Sequence, residues 1–311
     1  MRERIVVVTN TKANSLRNLS IEFDYVFMDE ANHAHIPESL VPMHFLKTDD
    51  CLVVSGDQMQ LDGYVGCFEG MDYGLDTSLL DKLLKFNEYQ VGNENSGDYI
   101  TRLMQSYRCD ERILAISNEL FYENEASCLN KTPQSILNMM RLTGPVQFVP
   151  VPLESSEEEA LLAHKQTERE ADCVVDLVIK LYKIGFEPEQ IGIYVAHKPQ
   201  EVLKKLNEAI RANNRMLDER YPIGCDWRCK IGRAAHFQGD EREIIIISTA
   251  SDSTDPDKKE YEHRFNLTIS RARWLMIVVG DPNLLGKRGL WSKLVDNSIK
   301  GEIGKWQTNL L

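Results

Sequence analysis

The chain has 311 residues, of which 42% are hydrophobic and 27% are charged, a composition typical of a folded protein with two ordinary domains. This composition excludes a largely disordered protein, and the longest apolar runs are too short to span a bilayer as helices. The formal net charge of −12 argues against a nucleic-acid binder that works by overall attraction, although a local basic groove is compatible with it.

Seven cysteines are scattered along the chain, and an odd number without a pattern fits a reducing compartment better than a disulfide framework. Cys225 and Cys229 have the spacing of half a zinc site. No second pair of Cys or His stands at a partnering distance, which favours two reduced thiols. The first residues, Met1–Arg4, lack the apolar region of a signal peptide. We therefore expect an intracellular, cytoplasmic protein with no membrane partner.

The first predicted element is a buried strand over Arg4–Thr9, followed by Asn10-Thr11-Lys12. The hydroxyls of Thr9 and Thr11 at the end of this strand could meet a nucleic-acid phosphate. An ordinary turn after a strand fits the same residues. A chain that opens on a buried strand also predicts that its first residues are the later part of a domain.

Two more strands are predicted, over Phe23–Met28 and Cys51–Ser55, and polar residues follow each of them. Asp29 and Glu30 follow the first strand. Paired carboxylates at the carboxyl end of a parallel strand can serve a magnesium nucleotide, because one acid holds the metal through water and the other polarises the attacking water. In isolation, such a pair more often caps a helix. Gln60 lies in the turn after the second strand.

A helix is then predicted over Tyr73–Leu84, with Asp76 or Thr77 as its N-cap. Residues 86–98 are rich in Asn, Glu and Gly and form a candidate linker. The first domain is therefore expected to end near residue 90.

The chain continues with Gln105-Ser106-Tyr107-Arg108, whose side chains suit nucleotide recognition. The face of Tyr107 can stack on a purine, and the Arg108 guanidinium can bond phosphate oxygens at two points. A core tyrosine beside a surface arginine would explain the same pair. Apolar periodicity predicts a helix over 113–122, a strand over 145–152, a helix from Thr167 to near Gly185 and a strand over 191–196. Lys198 and Gln200 lie in the turn that begins the next helix.

The turn His236–Arg242 and the strand Ile244–Thr249 carry the strongest signal in the sequence. A wholly apolar strand of this kind belongs in a parallel sheet that is buried on both faces. In the turn, Gly239 lets backbone amides approach a phosphate or ribose. Glu241 can accept hydrogen bonds from ribose hydroxyls or order nearby arginines.

Arg271 and Arg273 precede a second apolar strand, which is predicted over Trp274–Val279. Two arginines delivered beside the first strand are what a site for a polyanion requires. Taken alone, an Arg-x-Arg helix would instead favour a salt-bridged surface.

Together these segments resemble the motifs of superfamily 1 helicases, in particular the RNA helicases related to the nonsense-mediated-decay helicase and the Armitage-type silencing helicases. Five motif-like blocks occur in the family's order and cover nearly the whole chain. The resemblance implies a tandem RecA-like α/β fold with parallel sheets and helices on both faces. The later part of a first lobe would span residues 1–90, and a complete second lobe would span residues 91–311.

The resemblance also implies roles for individual residues, with ATP and Mg²⁺ as cofactors. In the first lobe it implies RNA contacts at Thr9 and Thr11, magnesium at Asp29, activation of water at Glu30 and sensing of the terminal phosphate at Gln60. In the second lobe it implies that Tyr107 stacks on adenine and that the transition state is stabilised by Arg108 and Arg271. Contacts to the nucleotide are implied for Gly239, Glu241 and Arg273. Contacts to the RNA backbone are implied for Lys198 and Gln200.

The sequence departs from the family's pattern at several points. His33, Ala235 and Gly63 stand where the family has glutamine, an acidic residue and proline. The 311 residues contain no G-x-x-x-x-G-K-[ST] phosphate-binding loop. Because such a loop supplies the amide cradle and the lysine for the β- and γ-phosphates, we expect the chain alone to bind ATP poorly.

The predicted function is an ATP-dependent RNA helicase or translocase that acts with a missing phosphate-binding half. The resemblance implies single-stranded RNA as a partner, RNA silencing or RNA decay as the setting, and silencing proteins as further partners. A catalytically inactive helicase-like module that binds RNA or protein is the alternative. A DNA helicase is the third possibility, because superfamily 1 motifs do not separate RNA from DNA.

Overall fold

The structure is a computed structural model that describes residues 5–90, 99–152, 159–195, 199–212, 229–250, 258–287, 289–299 and 304–305. The chain divides into two compact units, unit 1 (Met1–Arg102) and unit 2 (Leu103–Leu311). Both units combine parallel strands with helices, so the predicted α/β class is confirmed. The extents of the two lobes predicted from the sequence, 1–90 and 91–311, stay a prediction.

The described part of unit 1 is built around a two-stranded parallel sheet, in which β1 (Phe23–Met28) pairs with β2 (Leu46–Val54). Its helices are α1 (Asn10–Ala13), α2 (Ile36–Met43), α3 (Phe68–Met71) and α4 (Leu79–Leu83), and 3-10 turns span Asn14–Leu19, Ala31–His33 and Asn87–Tyr89. One face of the sheet packs in a small core around Val26 and Met28. The other face leaves Tyr25 and Phe27 exposed.

The prediction of a strand over Arg4–Thr9 is wrong. Residues 5–9 form no strand, and Val7 is 91% exposed. A strand needs a hydrogen-bonded neighbour, and this sheet contains only β1 and β2 among the described residues. Thr9 instead caps α1, where its hydroxyl accepts a hydrogen bond from the Lys12 amide (3.2 Å).

The helix predicted over Tyr73–Leu84 is shorter in the structure, because α4 begins only at Leu79. Its N-cap is Ser78 rather than Asp76 or Thr77. The Ser78 hydroxyl accepts a hydrogen bond from the Asp81 amide at 3.0 Å, which satisfies one of the free amides of the first turn.

The described part of unit 2 contains two sheets. The strands are β3 (Gln105–Asp110), β4 (Ser127–Asn130), β5 (Val146–Pro150), β6 (Ile191–Val195), β7 (Lys230–Gly232), β8 (Arg242–Ser248), β9 (Ala272–Gly280) and β10 (Gly304–Lys305). The larger sheet has six parallel strands in the order β10-β5-β9-β8-β6-β7, and β3 pairs with β4 in a second parallel sheet.

The helices of unit 2 cover the larger sheet and flank the smaller one. They are α5 (Glu111–Phe121), α6 (Gln134–Met139), α7 (Glu159–Ile184), α8 (Pro199–Ala212), α9 (Lys258–Ile269), α10 (Pro282–Leu285) and α11 (Gly289–Ile299), with 3-10 turns at Pro188–Gln190 and Ala234–Phe237. In the described ranges of both units, no helix is long and apolar enough to cross a membrane.

The apolar strands predicted from the sequence form the centre of the six-stranded sheet. β8 lies between β6 and β9, and Ile246 and Ile277 pair across β8 and β9. Both side chains are fully buried in a core that α7 covers with residues such as Val178. Since the strands are parallel, their carboxyl ends lie along one edge, which is where open α/β sheets bind ligands.

Replacement of Ile246 by alanine tests this central position. We expect Ile246→Ala to lower the free energy of unfolding by about 2–5 kcal/mol, because the cavity lies in the fully buried middle strand. Leu129→Ala in β4 is the matched control, since Leu129 is 57% exposed and its loss should cost less than about 1 kcal/mol. Urea denaturation measures both values, and equal losses would contradict the placement of β8.

Candidate functional site

The predicted carboxylates of unit 1 follow β1 directly, beside the end of β2. The Ser55 hydroxyl, which follows β2, donates a hydrogen bond to Asp29 Oδ1 (2.9 Å), and the Glu30 amide donates to the same oxygen (3.1 Å). Both carboxylates are exposed. Because β1 and β2 are parallel neighbours, the Asp29 carboxylate after β1 lies next to the Ser55 hydroxyl after β2.

Glu30 has an unusual backbone conformation. Its φ of 52° and ψ of 43° lie in the left-handed region, which is unfavourable for a residue with a side chain. The next amide, that of Ala31, donates to the carbonyl of Ser55 (2.9 Å), so the loop after β1 is tied to the loop after β2. Strained residues held this way often occur at functional sites.

Asn32 connects the loop that carries Glu30 with the loop that carries Gln60. The buried Asn32 amide donates to the Leu61 carbonyl (2.9 Å), and its Oδ1 accepts from the Asp57 amide (3.4 Å). Asp57 in turn accepts a hydrogen bond from Gln60 Nε2 (2.8 Å). Gln60 is therefore positioned through Asp57, a contact that the sequence analysis did not anticipate.

Gly63 lies against the backbone of His33. A Cβ at position 63 would come within 2.3 Å of the His33 carbonyl oxygen, so neither the family's proline nor any other residue with a side chain fits this arrangement. Burial lowers the pKa of His33, against the opposing charges of Glu30 and Asp62. The two departures from the family's pattern at His33 and Gly63 thus occur at one contact.

The carboxylates of unit 1 could hold Mg²⁺ only together with water and phosphate oxygens. In the described ranges, no group of three or more His, Cys, Asp or Glu side chains is arranged to hold a metal ion. Mg²⁺ keeps several of its waters and needs only one or two protein carboxylates when phosphate oxygens supply further ligands. The exposed Asp29 carboxylate, which Ser55 orients, fits that mode of binding.

In unit 2, Tyr107 and Arg108 lie in an irregular part of β3. Ser106 pairs with Cys128 and Asp110 pairs with Asn130, so three residues of β3 lie opposite one residue of β4. Such bulges bend a strand and redirect its side chains. Tyr107 is 65% exposed, and its hydroxyl donates to Gln105 Oε1 (2.7 Å), which leaves the ring face open to stacking.

Arg108 and Arg273 converge on Glu241. Arg108 Nε donates to Glu241 Oε2 at 2.5 Å, and Arg273 Nε lies 3.7 Å from Glu241 Oε1. Arg273 Nη1 is also 3.7 Å from Glu243 Oε1. The structure therefore brings together three residues that the sequence predicted to act on a nucleotide, and it adds Glu243.

The turn before Glu241 is held by a charge cluster that the sequence analysis missed. Asp240 accepts from Lys230 Nζ (2.5 Å) and is paired with Arg242, whose Nη1 also donates to the Glu241 carbonyl (2.7 Å). Gly239 has a φ of +65°, and among the described residues, apart from its two chain neighbours, no atom lies within 4 Å of the position that a Cβ would occupy. Glycine is therefore required by the backbone conformation, and the space beside it stays open for a ligand.

Arg271 is arranged differently from Arg273. It follows α9 and is only 2% exposed. Its Nε donates to the Leu267 carbonyl (3.1 Å) and its Nη2 to the Ser270 hydroxyl (3.2 Å), so the guanidinium covers the end of its own helix. As described, Arg271 faces the protein interior, while Arg108 and Arg273 face partly into solvent.

The residues predicted to contact RNA are divided between the two units. Thr9 and Thr11 are exposed at the start of α1 in unit 1, and Gln200 is exposed at the start of α8 in unit 2. Lys198 lies outside the described residues. The Thr9 hydroxyl accepts from the Lys12 amide and keeps its proton available for a phosphate oxygen.

Glu170 is a buried polar residue at the carboxyl edge of the six-stranded sheet. Its carboxyl accepts hydrogen bonds from Gln166 Nε2 (2.6 Å), the Ser248 hydroxyl (2.8 Å) and the Ala250 amide (2.7 Å), and it thereby fixes the end of β8. Burial raises the pKa of Glu170 to about 7, despite these hydrogen bonds. A signal was present in the sequence, because Glu170 shares the helical spacing of the buried residue Val174.

Comparison with known proteins identifies relatives across both units. Two AAA domain families match, one over residues 75–283 and one over residues 1–65. The chain is 31% identical to the putative helicase mov-10-B.1 of Danio rerio, over 96% of this chain and 32% of that protein. It is 28% identical to the putative helicase MOV-10 of Gallus gallus (94% of this chain, 33% of that protein). The probable RNA helicase armi of Drosophila melanogaster is also 28% identical (94% and 26%). The chain thus spans about a third or less of the length of these relatives.

Substitution of Gly63 tests the contact with His33. We expect Gly63→Ala to lower the free energy of unfolding of unit 1 by about 1–3 kcal/mol, because the new methyl group overlaps a backbone oxygen. Gly66→Ala is the control, since its Cβ would meet nothing closer than 3.6 Å. Urea denaturation of both variants measures the difference, and equal stabilities would show that the contact is absent.

Substitution of Glu170 tests the buried carboxyl through its pH dependence. The folded protein holds the proton up to about pH 7, whereas the unfolded chain releases it near 4.5. Stability from this proton is therefore complete below pH 4.5 and is lost as the pH rises through 7. Relative to Glu170→Gln, the wild-type unfolding free energy should fall by roughly 3 kcal/mol across this window. Parallel pH profiles in urea denaturation would argue against the raised pKa.

Proposed function

Because the chain belongs to the superfamily 1 helicases of the MOV-10 and Armitage branch, whose AAA domain covers residues 75–283, we propose that it forms the catalytic part of an ATP-dependent RNA helicase or translocase. Unit 1 would supply the acids that handle magnesium and water. Unit 2 would supply the groups that hold the base, the ribose and the phosphate charge of ATP.

The contact between Arg108 and Glu241 carries this proposal. It joins residues from two motifs that are 133 positions apart, and Arg273 lies beside them. Arg108, Arg273 and Glu241 form one cluster, the nucleotide cluster, and the exposed Tyr107 precedes Arg108 in β3. The two guanidiniums, the carboxylate and the tyrosine ring match the phosphates, the ribose hydroxyls and the base of a nucleotide. Arg108 would stabilise the charge that develops on the transferred phosphoryl group, and Glu241 would accept from the ribose once the nucleotide competes for Arg108.

The acids of unit 1 suit the hydrolytic step. Asp29, oriented by Ser55, would hold Mg²⁺ through its waters, and the metal would neutralise phosphate charge. Glu30 follows with its carboxylate exposed and would accept a proton from the attacking water. Gln60, held by Asp57, would respond to the terminal phosphate. The role of Arg271 stays a prediction, since its guanidinium would first have to leave the end of α9.

The phosphate-binding loop must come from another polypeptide segment in this proposal, because the 311 residues contain none. The β1–β2 sheet offers a surface for such a segment. Parallel sheets are normally covered on both faces, yet Phe27 is 73% exposed, and Tyr25, Cys51 and Val53 are exposed on the same face. We propose that a segment carrying a G-x-x-x-x-G-K-[ST] loop packs on this face.

RNA is the proposed nucleic acid because the Drosophila relative armi is named a probable RNA helicase. The exposed hydroxyls of Thr9 and Thr11 and the amide of Gln200 are suited to phosphate contacts that carry no sequence preference. Lys198 is proposed to add a positive charge. We further propose a role in RNA silencing or RNA decay in the cytoplasm, which the resemblance of the motifs to the Armitage-type silencing helicases implies.

A second candidate function is an RNA- or protein-binding module without turnover. The burial of Arg271 motivates this alternative, because its guanidinium is engaged by the Leu267 carbonyl and the Ser270 hydroxyl. The same nucleotide cluster would then bind without hydrolysis.

The hydrolysis assay separates these two functions. We expect no RNA-stimulated ATP hydrolysis by the chain alone, and clear hydrolysis when it is co-expressed with the P-loop-bearing segment of a MOV-10 relative. In that assembly, Asp29→Asn and Glu30→Gln should each reduce turnover at least about a hundredfold, because the metal and the general base are lost.

The matched control is Glu38→Gln, an exposed acid in the first turn of α2 that should leave the rate unchanged. Turnover that survives both Asp29→Asn and Glu30→Gln would refute the assignment of these acids. Tight nucleotide and RNA binding without turnover would favour the binding module. Stimulation by single-stranded DNA in place of RNA would favour a DNA helicase.

A further inference from the structure

Two thiols meet beside the proposed nucleotide cluster. Cys109 in β3 is buried and Cys128 in β4 is half-buried, and their Sγ atoms are 3.8 Å apart. A disulfide requires an S–S distance of about 2.0 Å, so closure brings the two sulfurs together by nearly 2 Å. Neither residue has a role in the proposed function.

The first thiol of this pair, Cys109, lies in the bulge of β3 that also carries Arg108. Cys109 directly follows Arg108 in the irregular part of β3, where Tyr107, Arg108 and Cys109 lie opposite Leu129. The segment is held by Asn130, whose Nδ2 donates to the carbonyl of Tyr107 and to the carbonyl of Arg108 (3.3 Å). A bulge of this kind has fewer ladder hydrogen bonds than a regular strand, so it can shift when one of its side chains is pulled.

We propose that Cys109 and Cys128 are a modification site, at which a low-molecular-weight disulfide such as oxidised glutathione converts the two thiols into a reversible cross-link that repositions Tyr107 and Arg108. The cross-link itself follows from the thiol contact alone. Its effect on nucleotide binding rests on the function proposed above.

The chemistry proceeds in two exchanges. The more accessible thiol, Cys128, attacks the small disulfide as its thiolate, forms a mixed disulfide and releases one thiolate of the reagent. Cys109 then attacks the Cys128 sulfur and releases the second. Two protein thiols are oxidised, one small disulfide is reduced to two thiols, and the two protein protons pass to the released thiolates. Burial raises the pKa of Cys109 to about 12, with the neighbouring Cys128 as the second cause, so the second exchange is the slow one.

Closure of the disulfide affects Arg108 through its geometry. The sulfurs must approach by nearly 2 Å from their 3.8 Å separation, and Cys109 is bonded to Arg108 in the chain. The bond from Arg108 Nε to Glu241 Oε2 is 2.5 Å long, so a displacement of this size changes or breaks it. Because misplacement by about 1 Å can strongly weaken a positioned group, oxidation should weaken nucleotide binding.

The first test is chemical. The folded protein is incubated with oxidised glutathione, the remaining thiols are alkylated, and peptides are mapped by mass spectrometry. We expect a Cys109–Cys128 cross-linked peptide that lacks two hydrogens and reverts on treatment with dithiothreitol. The cross-link should be absent in Cys128→Ser and unchanged in Cys51→Ser, since Cys51 is an exposed cysteine in unit 1. Retention of both free thiols, or a stable mixed disulfide at Cys128, would overturn the proposal.

The second test measures whether the cross-link changes β3 and the binding of nucleotide. Hydrogen exchange of the amides of Tyr107 and Arg108 should change on oxidation of the wild type and stay constant in Cys128→Ser. The affinity for a fluorescent adenine nucleotide, measured with the P-loop-bearing segment present, should fall at least about fivefold on oxidation. A cross-link that leaves both readouts unchanged would refute the repositioning. Failure of the reduced protein to bind nucleotide would instead count against the proposed function and leave the cross-link standing.

Discussion

The ion pair between Arg108 and Glu241 is the contact on which the candidate nucleotide site of unit 2 depends. It links the bulge of β3 to the turn before β8, and through Glu241 it reaches Arg273 on β9. Both partners are more than a third exposed, so the pair adds only about 0–1 kcal/mol to stability. Its contribution is positional, because it fixes the Arg108 guanidinium, which directly follows the exposed Tyr107 in β3, against the turn before β8. A ligand that offers phosphate oxygens can replace Glu241 without a large loss of folding energy.

Unit 1 depends on a different constraint, which is the joining of two loops at the ends of paired strands. Asn32 and Ser55 connect the loop after β1 with the loop after β2, so Asp29 and Gln60 are positioned by one hydrogen-bond network. The β1–β2 sheet that carries this network is covered on only one face, since Phe27 is exposed on the other. The proposed phosphate-binding segment would therefore complete the packing as well as the chemistry.

The sequence predicted those strands that a short run of neighbouring apolar residues marks. β6, β8 and β9 were recognised because apolar runs of strand length require burial on both faces, and the structure buries them at the centre of the six-stranded sheet. β1 was also recognised, although one of its faces, with Tyr25 and Phe27, is exposed. The same reasoning failed for residues 5–9, since a strand also needs a neighbour and sequence composition does not supply one. Arg271 and Arg273 are separated by one residue, yet one is buried and the other half exposed. That difference arises from the end of α9 and the start of β9, which periodicity did not resolve.

A double-mutant cycle on Arg108 and Glu241 tests the central claim most directly. The affinity for a fluorescent adenine nucleotide is measured for the wild type, Arg108→Ala, Glu241→Gln and the double variant, each with the P-loop-bearing segment present, and Arg141→Ala serves as an exposed control. If both residues act on one nucleotide, the effects should be non-additive by about 0.5–3 kcal/mol. Additive effects, or variants that bind as tightly as the wild type, would show that this ion pair is a surface contact with no part in nucleotide recognition.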